Sequence, residues 1–154
     1  LKEFQDAKKI LFYSSFQSEV RTMEMIEEAL AAGKEIILPI TLFEDNALKL
    51  VEVTSTAGLV KNKAGIPEPV ENGKKEVQPD ELDLIVVPGS AFTEDGKRLG
   101  QGWGLFDRLF EKTKAVKVGL AFDMQVVKNL PMEKHDQLLD ILVTESGIHR
   151  KIAP

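Results

Sequence analysis

Short apolar runs alternate with stretches of helical periodicity along the chain. Residues 9–15 (KILFYSS) predict a buried strand. Residues 22–32 predict a helix. Met23, Ile26 and Leu30 recur at helical spacing, Thr22 takes the N-cap position, Glu24, Glu27 and Glu28 are acidic, and Gly33 supplies a stop. A second buried strand is expected at 35–38 (EIIL), stopped by Pro39. Residues 40–43 and 47–53 flank the turn signal Glu44-Asp45-Asn46 and predict a hairpin. Residues 54–81 read as loop, punctuated by Gly58, Gly65, Pro67, Pro69, Gly73 and Pro79. A loop that long in a compact domain is usually functional. Residues 82–87 (LDLIVV) predict the central strand, ended by Pro88-Gly89. A polar, glycine-rich loop over 90–104 leads into a helix that opens near Trp103 or Gly104 and runs to about Lys112. Leu105, Phe106, Leu109 and Phe110 form its apolar stripe. Residues 117–122 predict a strand, 123–128 a short helix, 141–144 a last strand, and Gly147 a turn.

Strands alternating with helices imply an α/β fold with a largely parallel sheet and helices on both faces. Ligands of such sheets gather at the carboxyl ends of the strands. Here those ends are 14–19, Pro39, 88–104, 122–123 and 144–145. The 154 residues, 43% hydrophobic and 29% charged, suit a single globular domain over 1–154 and exclude a disordered chain. The net charge of −5 argues against a nonspecific nucleic-acid binder, so no nucleic-acid partner is expected. No apolar run approaches the roughly 20 residues of a membrane span, so no membrane partner is expected either. The absence of cysteine excludes disulfides and thiolate chemistry. Residues 1–16 do not read as a signal peptide, and a cytoplasmic location is expected.

The piece richest in chemistry is the strand, loop and helix at 82–112. Gly100, Gly102 and Gly104 alternate just before the helix. Glycine lets backbone amides approach a phosphate closely, and Lys97 and Arg98 bring positive charge to the same loop. The spacing is neither the dinucleotide fingerprint nor a Walker loop. A flexible surface turn would show the same letters. Asp107 falls in the first helical turn, where a carboxylate either complements the helix or binds Mg²⁺ beside phosphates. His135-Asp136 sits in a polar stretch after Pro131, His149 has no visible partner, and Glu68 lies between two prolines. Glu19 follows the first strand, placed for a cationic or amide-bearing ligand.

Taken in order, the segments FQSEVRT (16–22), LPI (38–40), GIPEP (65–69), DLIVVPGSAFTEDGKRLGQGWGLFDR (83–108), GLAFDMQVV (119–127) and LPMEKHDQLLDILVTESG (130–147) resemble the 5-formyltetrahydrofolate cyclo-ligases. The resemblance covers about residues 8–150. It implies a three-layer α/β/α sandwich related to sugar-phosphate isomerases and CoA transferases. It also implies ATP- and Mg²⁺-dependent closure of 5-formyltetrahydrofolate to 5,10-methenyltetrahydrofolate, so the expected partners are a folate and ATP. Matched residue by residue, Arg98, Leu99, Gly100, Gln101, Gly102, Trp103, Gly104, Leu105 and Phe106 correspond to the ATP loop. Arg98, Gln101 and Asp107 take the catalytic positions, and Asp107 and Asp136 the Mg²⁺ positions. Ser14, Glu19, Gln101, Gly102, Trp103, Gly104 and Leu105 face the folate.

The chain departs from the family pattern in four places. Gln101, Trp103 and Ile40 replace residues that are often basic, or at 101 and 103 also aromatic or glycine, and Leu105-Phe106 stands for an aromatic pair. A basic helical segment at the N-terminus is expected to be missing. The result is a phosphate region with fewer cations. Two alternatives therefore stand beside the cyclo-ligase: a divergent relative that binds nucleotide or folate without this turnover, and an enzyme acting on another phosphorylated metabolite. A monomer or weak homo-oligomer is expected.

Overall fold

The computed structural model describes residues 1–15, 19–71, 73–100, 104–131 and 137–150. The chain opens with α1 (Lys2–Asp6), β1 (Lys9–Leu11), α2 (Met23–Ala31), β2 (Glu35–Leu42) and β3 (Ala47–Val53). Two short hairpins flank the next long strand: β4 (Val60–Lys61) with β5 (Pro67–Glu68), then β6 (Leu84–Val87), then β7 (Ala91–Phe92) with β8 (Arg98–Leu99). The remainder is α3 (Leu105–Phe110), β9 (Val116–Leu120), β10 (Ile141–Thr144) and β11 (Gly147–Arg150). Turns of 3₁₀ helix occupy Pro79–Glu81 and Asp123–Gln125.

One seven-stranded sheet carries the fold, in the order β11-β10-β9-β6-β1-β2-β3. The five inner strands are parallel, and the edge strands β3 and β11 run antiparallel to their neighbours. From β1 the chain moves to one side through β2 and β3, then returns to the other side through β6, β9 and β10. The carboxyl ends of β1 and β6 therefore flank a topological switch point, the usual crevice of such sheets.

Alternate residues of each strand feed two cores. Leu11, Ile37, Ile85 and Val87 pack with Phe92, Leu109, Phe110 and Leu139 on one face. Ile10, Phe12, Ile36, Leu38, Leu84 and Val86 pack with Ile26 and Ala29 of α2 on the other, where Phe4 of α1 also leans. Burial on both faces explains the uninterrupted apolar runs. Helices lie on both sides of the sheet, as the alternation of elements predicts.

Pro39 does not stop its strand. β2 runs through it to Leu42 and pairs with β3 along its length, with Pro39 opposite Leu50. What Pro39 ends is the pairing with β1. That ladder has Glu35 N–H donating to Lys8 C=O and Phe12 N–H donating to Ile37 C=O. Continued by two residues it would need an N–H from residue 39, and proline has none. β1 and β2 are thus free to diverge beyond Phe12. β1 is correspondingly short: it ends at Leu11, Phe12 N–H makes the last bond to β2, and residues 13–15 lie outside any strand. The short helix expected at 123–128 is a single 3₁₀ turn, and Gly147 opens β11 instead of merely turning.

Candidate active site

The switch point gathers three segments. After β1 come Ser14 and Ser15, with Glu19 and Val20 folding back over them. Tyr13 Oη donates to Val20 C=O at 2.9 Å. Thr22, fully buried, donates from Oγ1 to Tyr13 C=O at 2.7 Å and accepts from Ser15 N–H at 3.1 Å. Thr22 does sit at the N-cap of α2, but its hydroxyl makes no cap bond. It ties the β1 loop together instead, a role its position in the sequence does not advertise. Burial, and then the negative charge of Glu19, push the Tyr13 phenol well above its ordinary pKa. Ser14 is 5% exposed, and its Oγ finds no hydrogen-bond partner among the described residues. A buried hydroxyl without a partner is costly, and at a strand end it marks a place for a ligand atom or water.

The second segment follows β6. Pro88-Gly89 turns the chain into the β7–β8 hairpin, which folds back so tightly that a Cβ on Gly89 would lie 2.7 Å from the Phe92 ring. Gln125 Nε2 donates to the carbonyls of Gly89 and Ser90 at 3.2 and 3.3 Å. Arg98 leaves β8 beside this turn. Its side chain, 8% exposed, donates to Pro88 C=O at 3.0 Å and stands 3.7 Å from Asp107. The guanidinium also lies over the rings of Phe106 and Phe110, at 5.7 and 5.8 Å.

The third segment is the loop that opens α3. Gly104 has φ +68°, a left-handed conformation that glycine adopts without strain. Gly100 is packed against Arg98, where a Cβ would lie 2.6 Å from the guanidinium. Gly104 is thus called for by its backbone conformation, whereas at Gly100 a side chain would have to move only the end of Arg98. α3 is only six residues long. Any phosphate affinity here comes from loop amides and side-chain charge more than from a helix dipole.

The structure brings Ser14, Glu19, Arg98, Leu99, Gly100, Gly104, Leu105, Phe106 and Asp107 to neighbouring strand ends. It distinguishes their roles. Phe106 packs on the core and under Arg98, so it supports the loop from below. Arg98 is turned inward and braces the loop. Asp107 keeps a side chain 26% exposed at the mouth of the loop. Gln101, Gly102, Trp103 and Asp136 lie outside the described residues.

A mainly parallel α/β sheet whose switch point carries a hydroxyl unpartnered among the described residues, a carboxylate on each side and a glycine loop is a candidate site for a small polar ligand. The comparisons narrow this. The sequence profile of the 5-formyltetrahydrofolate cyclo-ligase family matches residues 1–145. The 5-formyltetrahydrofolate cyclo-ligase of Haemophilus influenzae is 35% identical over 93% of this chain and 79% of its own length. That of Mus musculus is 32% identical over 94% and 77%. The 5,10-methenyltetrahydrofolate synthetase of Aquifex aeolicus superposes with a TM-score of 0.84 at 40% identity, over all of this chain and 77% of that one. A second synthetase, from Mycoplasma pneumoniae, shares the fold with a TM-score of 0.69 at 17% identity. The chain belongs to the 5-formyltetrahydrofolate cyclo-ligase family and is a ligase.

Proposed function

We propose that this ligase closes 5-formyltetrahydrofolate to 5,10-methenyltetrahydrofolate at the β1–β6 switch point, with ATP cleaved to ADP and phosphate. The formyl oxygen must first become a leaving group. It forms a bond to the γ-phosphorus as the bond to the ADP oxygen breaks. N10 then attacks the formyl carbon, the carbon–oxygen bond breaks, inorganic phosphate departs with that oxygen, and N10 loses its proton. Most of the protein's work in such a reaction is positioning and charge compensation.

The residues divide this work. Gly100 and Gly104 give the loop the close backbone approach that phosphates need. Arg98 holds the base of that loop against Pro88 and keeps Asp107 turned to the crevice. Asp107 suits Mg²⁺, which takes one or two carboxylates together with phosphate oxygens. Asp136 is the second carboxylate proposed for it. Bound there, Mg²⁺ would neutralise charge on the phosphates. Glu19 and Ser14, on the β1 side, face the folate. Gln101, Gly102, Trp103 and Leu105 are the residues proposed to touch both ligands.

The observation that carries the reading is the juxtaposition of a buried Ser14 Oγ, unpartnered among the described residues, with the glycine loop across one switch point, in a chain of this family. The test is turnover of 5-formyltetrahydrofolate with ATP and Mg²⁺, followed by the absorbance of the methenyl product and by ADP release. Folate-dependent ADP is expected. Nucleotide and folate binding without product would support the binding-only alternative instead. Glu19→Ala should raise the KM for the folate more than that for ATP, and an equal rise in both would remove Glu19 from the folate site.

A further inference from the structure

A second unpartnered polar atom stands at the carboxyl edge of the sheet. Glu68, in β5, is 8% exposed. Its Oε2 accepts from Thr41 N–H at 2.8 Å, and its Oε1 has no hydrogen bond or ion pair among the described residues.

The direction of the Thr41 N–H fixes where this carboxylate lies. Phe12 N–H donates to Ile37 C=O, so Ile37 turns its backbone polar groups toward β1. Strand geometry turns those of Pro39 and Thr41 the same way. The other side of the strand agrees. Leu50, opposite Pro39, gives its carbonyl to Val77 N–H on the side away from β2. β1 has ended by this level. It pairs Leu11 with Ile37, and the same register continued would bring Ser14 level with Ile40. Thr41 N–H thus points into the gap that Pro39 opens beyond β1, and Glu68 Oε2 meets it there.

A cap for one neutral N–H needs only a neutral acceptor. The second oxygen is not sealed from solvent, so it can take a partner from a ligand in the gap in place of water. An ionised carboxylate is an acceptor only, so that partner must be a donor. The pterin ring carries such donors side by side in its 2-amino group and N3–H, a planar edge that a carboxylate matches. We propose that Glu68 is a substrate-recognition residue whose Oε1 accepts a hydrogen bond from the 2-amino/N3 edge of the pterin. This rests on the folate reading above and names the group that reads the ring.

The test is calorimetric titration of the full chain with 5-formyltetrahydrofolate and with its 2-desamino analogue. The wild type should prefer the natural ligand by about tenfold or more, the worth of a hydrogen bond to a charged group. Glu68→Gln keeps an oxygen for Thr41 N–H, so its Tm and ATP affinity should match the wild type. It replaces the second acceptor by a donor, so its preference between the two ligands should collapse toward unity. An undiminished preference in Glu68→Gln would overturn the proposal and leave the folate reading intact. A wild type that binds neither ligand would overturn both. Equal weakening of ATP and folate in Glu68→Gln would mark a general disturbance of the sheet edge and overturn the specific role.

Discussion

Arg98 and Asp107 form one ion pair, yet their removal should cost very different amounts. Arg98→Met keeps an apolar stem and deletes the guanidinium. It leaves Pro88 C=O without its donor, a bond to a charged group worth about 1.5–3 kcal/mol. It also removes a cation from two aromatic faces, worth about 0.5–1 kcal/mol or more together. The sum is about 2–4 kcal/mol. For a chain of this size each kcal/mol moves Tm by about 2–4 °C, so a fall of about 4–16 °C is expected. Asp107→Asn preserves shape, and Arg98 retains Pro88 and both rings. The lost ion pair is long, at 3.7 Å, and its acid is partly exposed, so its loss costs about 0.5–1 kcal/mol after solvent screening. Turnover should reverse the order. Asp107→Asn should cost about 10²-fold in Mg²⁺-dependent kcat from loss of charge at the phosphates. Arg98→Met, assayed well below its Tm, should lose less. Thermal unfolding by circular dichroism and steady-state kinetics on the same preparations measure both. An Arg98→Met variant within about 3 °C of wild type would refute the bracing role. So would an Asp107→Asn variant that loses as much stability as Arg98→Met.

The chain's single tyrosine offers a clean pH prediction. The folded pKa of Tyr13 is raised above the unfolded value of about 10, so its contribution to stability is complete below that pH and is lost as pH rises toward the folded value. Tyrosinate absorbance should stay absent in the folded protein at about pH 10 and appear together with alkaline unfolding; an ordinary titration midpoint with retained circular dichroism would contradict it. Gly96 has φ +97°, and a Cβ there would lie 2.6 Å from Leu139 C=O. Gly96→Ala should destabilise by about 2–4 kcal/mol from backbone strain and displacement of a main-chain neighbour, read as a lower urea midpoint with an unchanged slope.

The doubly buried strands were legible because burial on both faces leaves no polar alternation. LDLIVV and ILVT announce β6 and β10 directly. The strand β11 was not, because GIHR has an exposed edge and alternates partly buried with exposed residues after a glycine that reads as a turn. α1 was hidden too. KEFQD lacks a side-chain cap, and tertiary contacts hold it, with Lys34 Nζ donating to the carbonyls of Gln5 and Ala7 and lying 5.3 Å from the Phe4 ring. Asp107, Glu19 and the glycines of the loop could be found as letters in a pattern. The inward turn of Arg98 could not, since its partners come from β6 and α3.

Pro39 shows why a strand end can be misread from composition and still mark the site. Proline forbids a donor, not a strand, and its effect depends on which side its nitrogen faces. Facing β3 it would have broken the hairpin ladder. Facing β1 it costs no hairpin bond and lets β1 and β2 part beyond Phe12, on the side of β1 away from the β6 switch point. That opening leaves the Thr41 N–H two residues on without a strand to pair with, and Glu68 from a distant hairpin supplies its acceptor. The motif GIPEP and the motif LPI are 27 residues apart by Thr41 and Glu68, yet they answer one requirement. On the reading proposed for Glu68, that gap would admit the planar ring, and the backbone chemistry of one proline and the recognition of the substrate would share one local geometry.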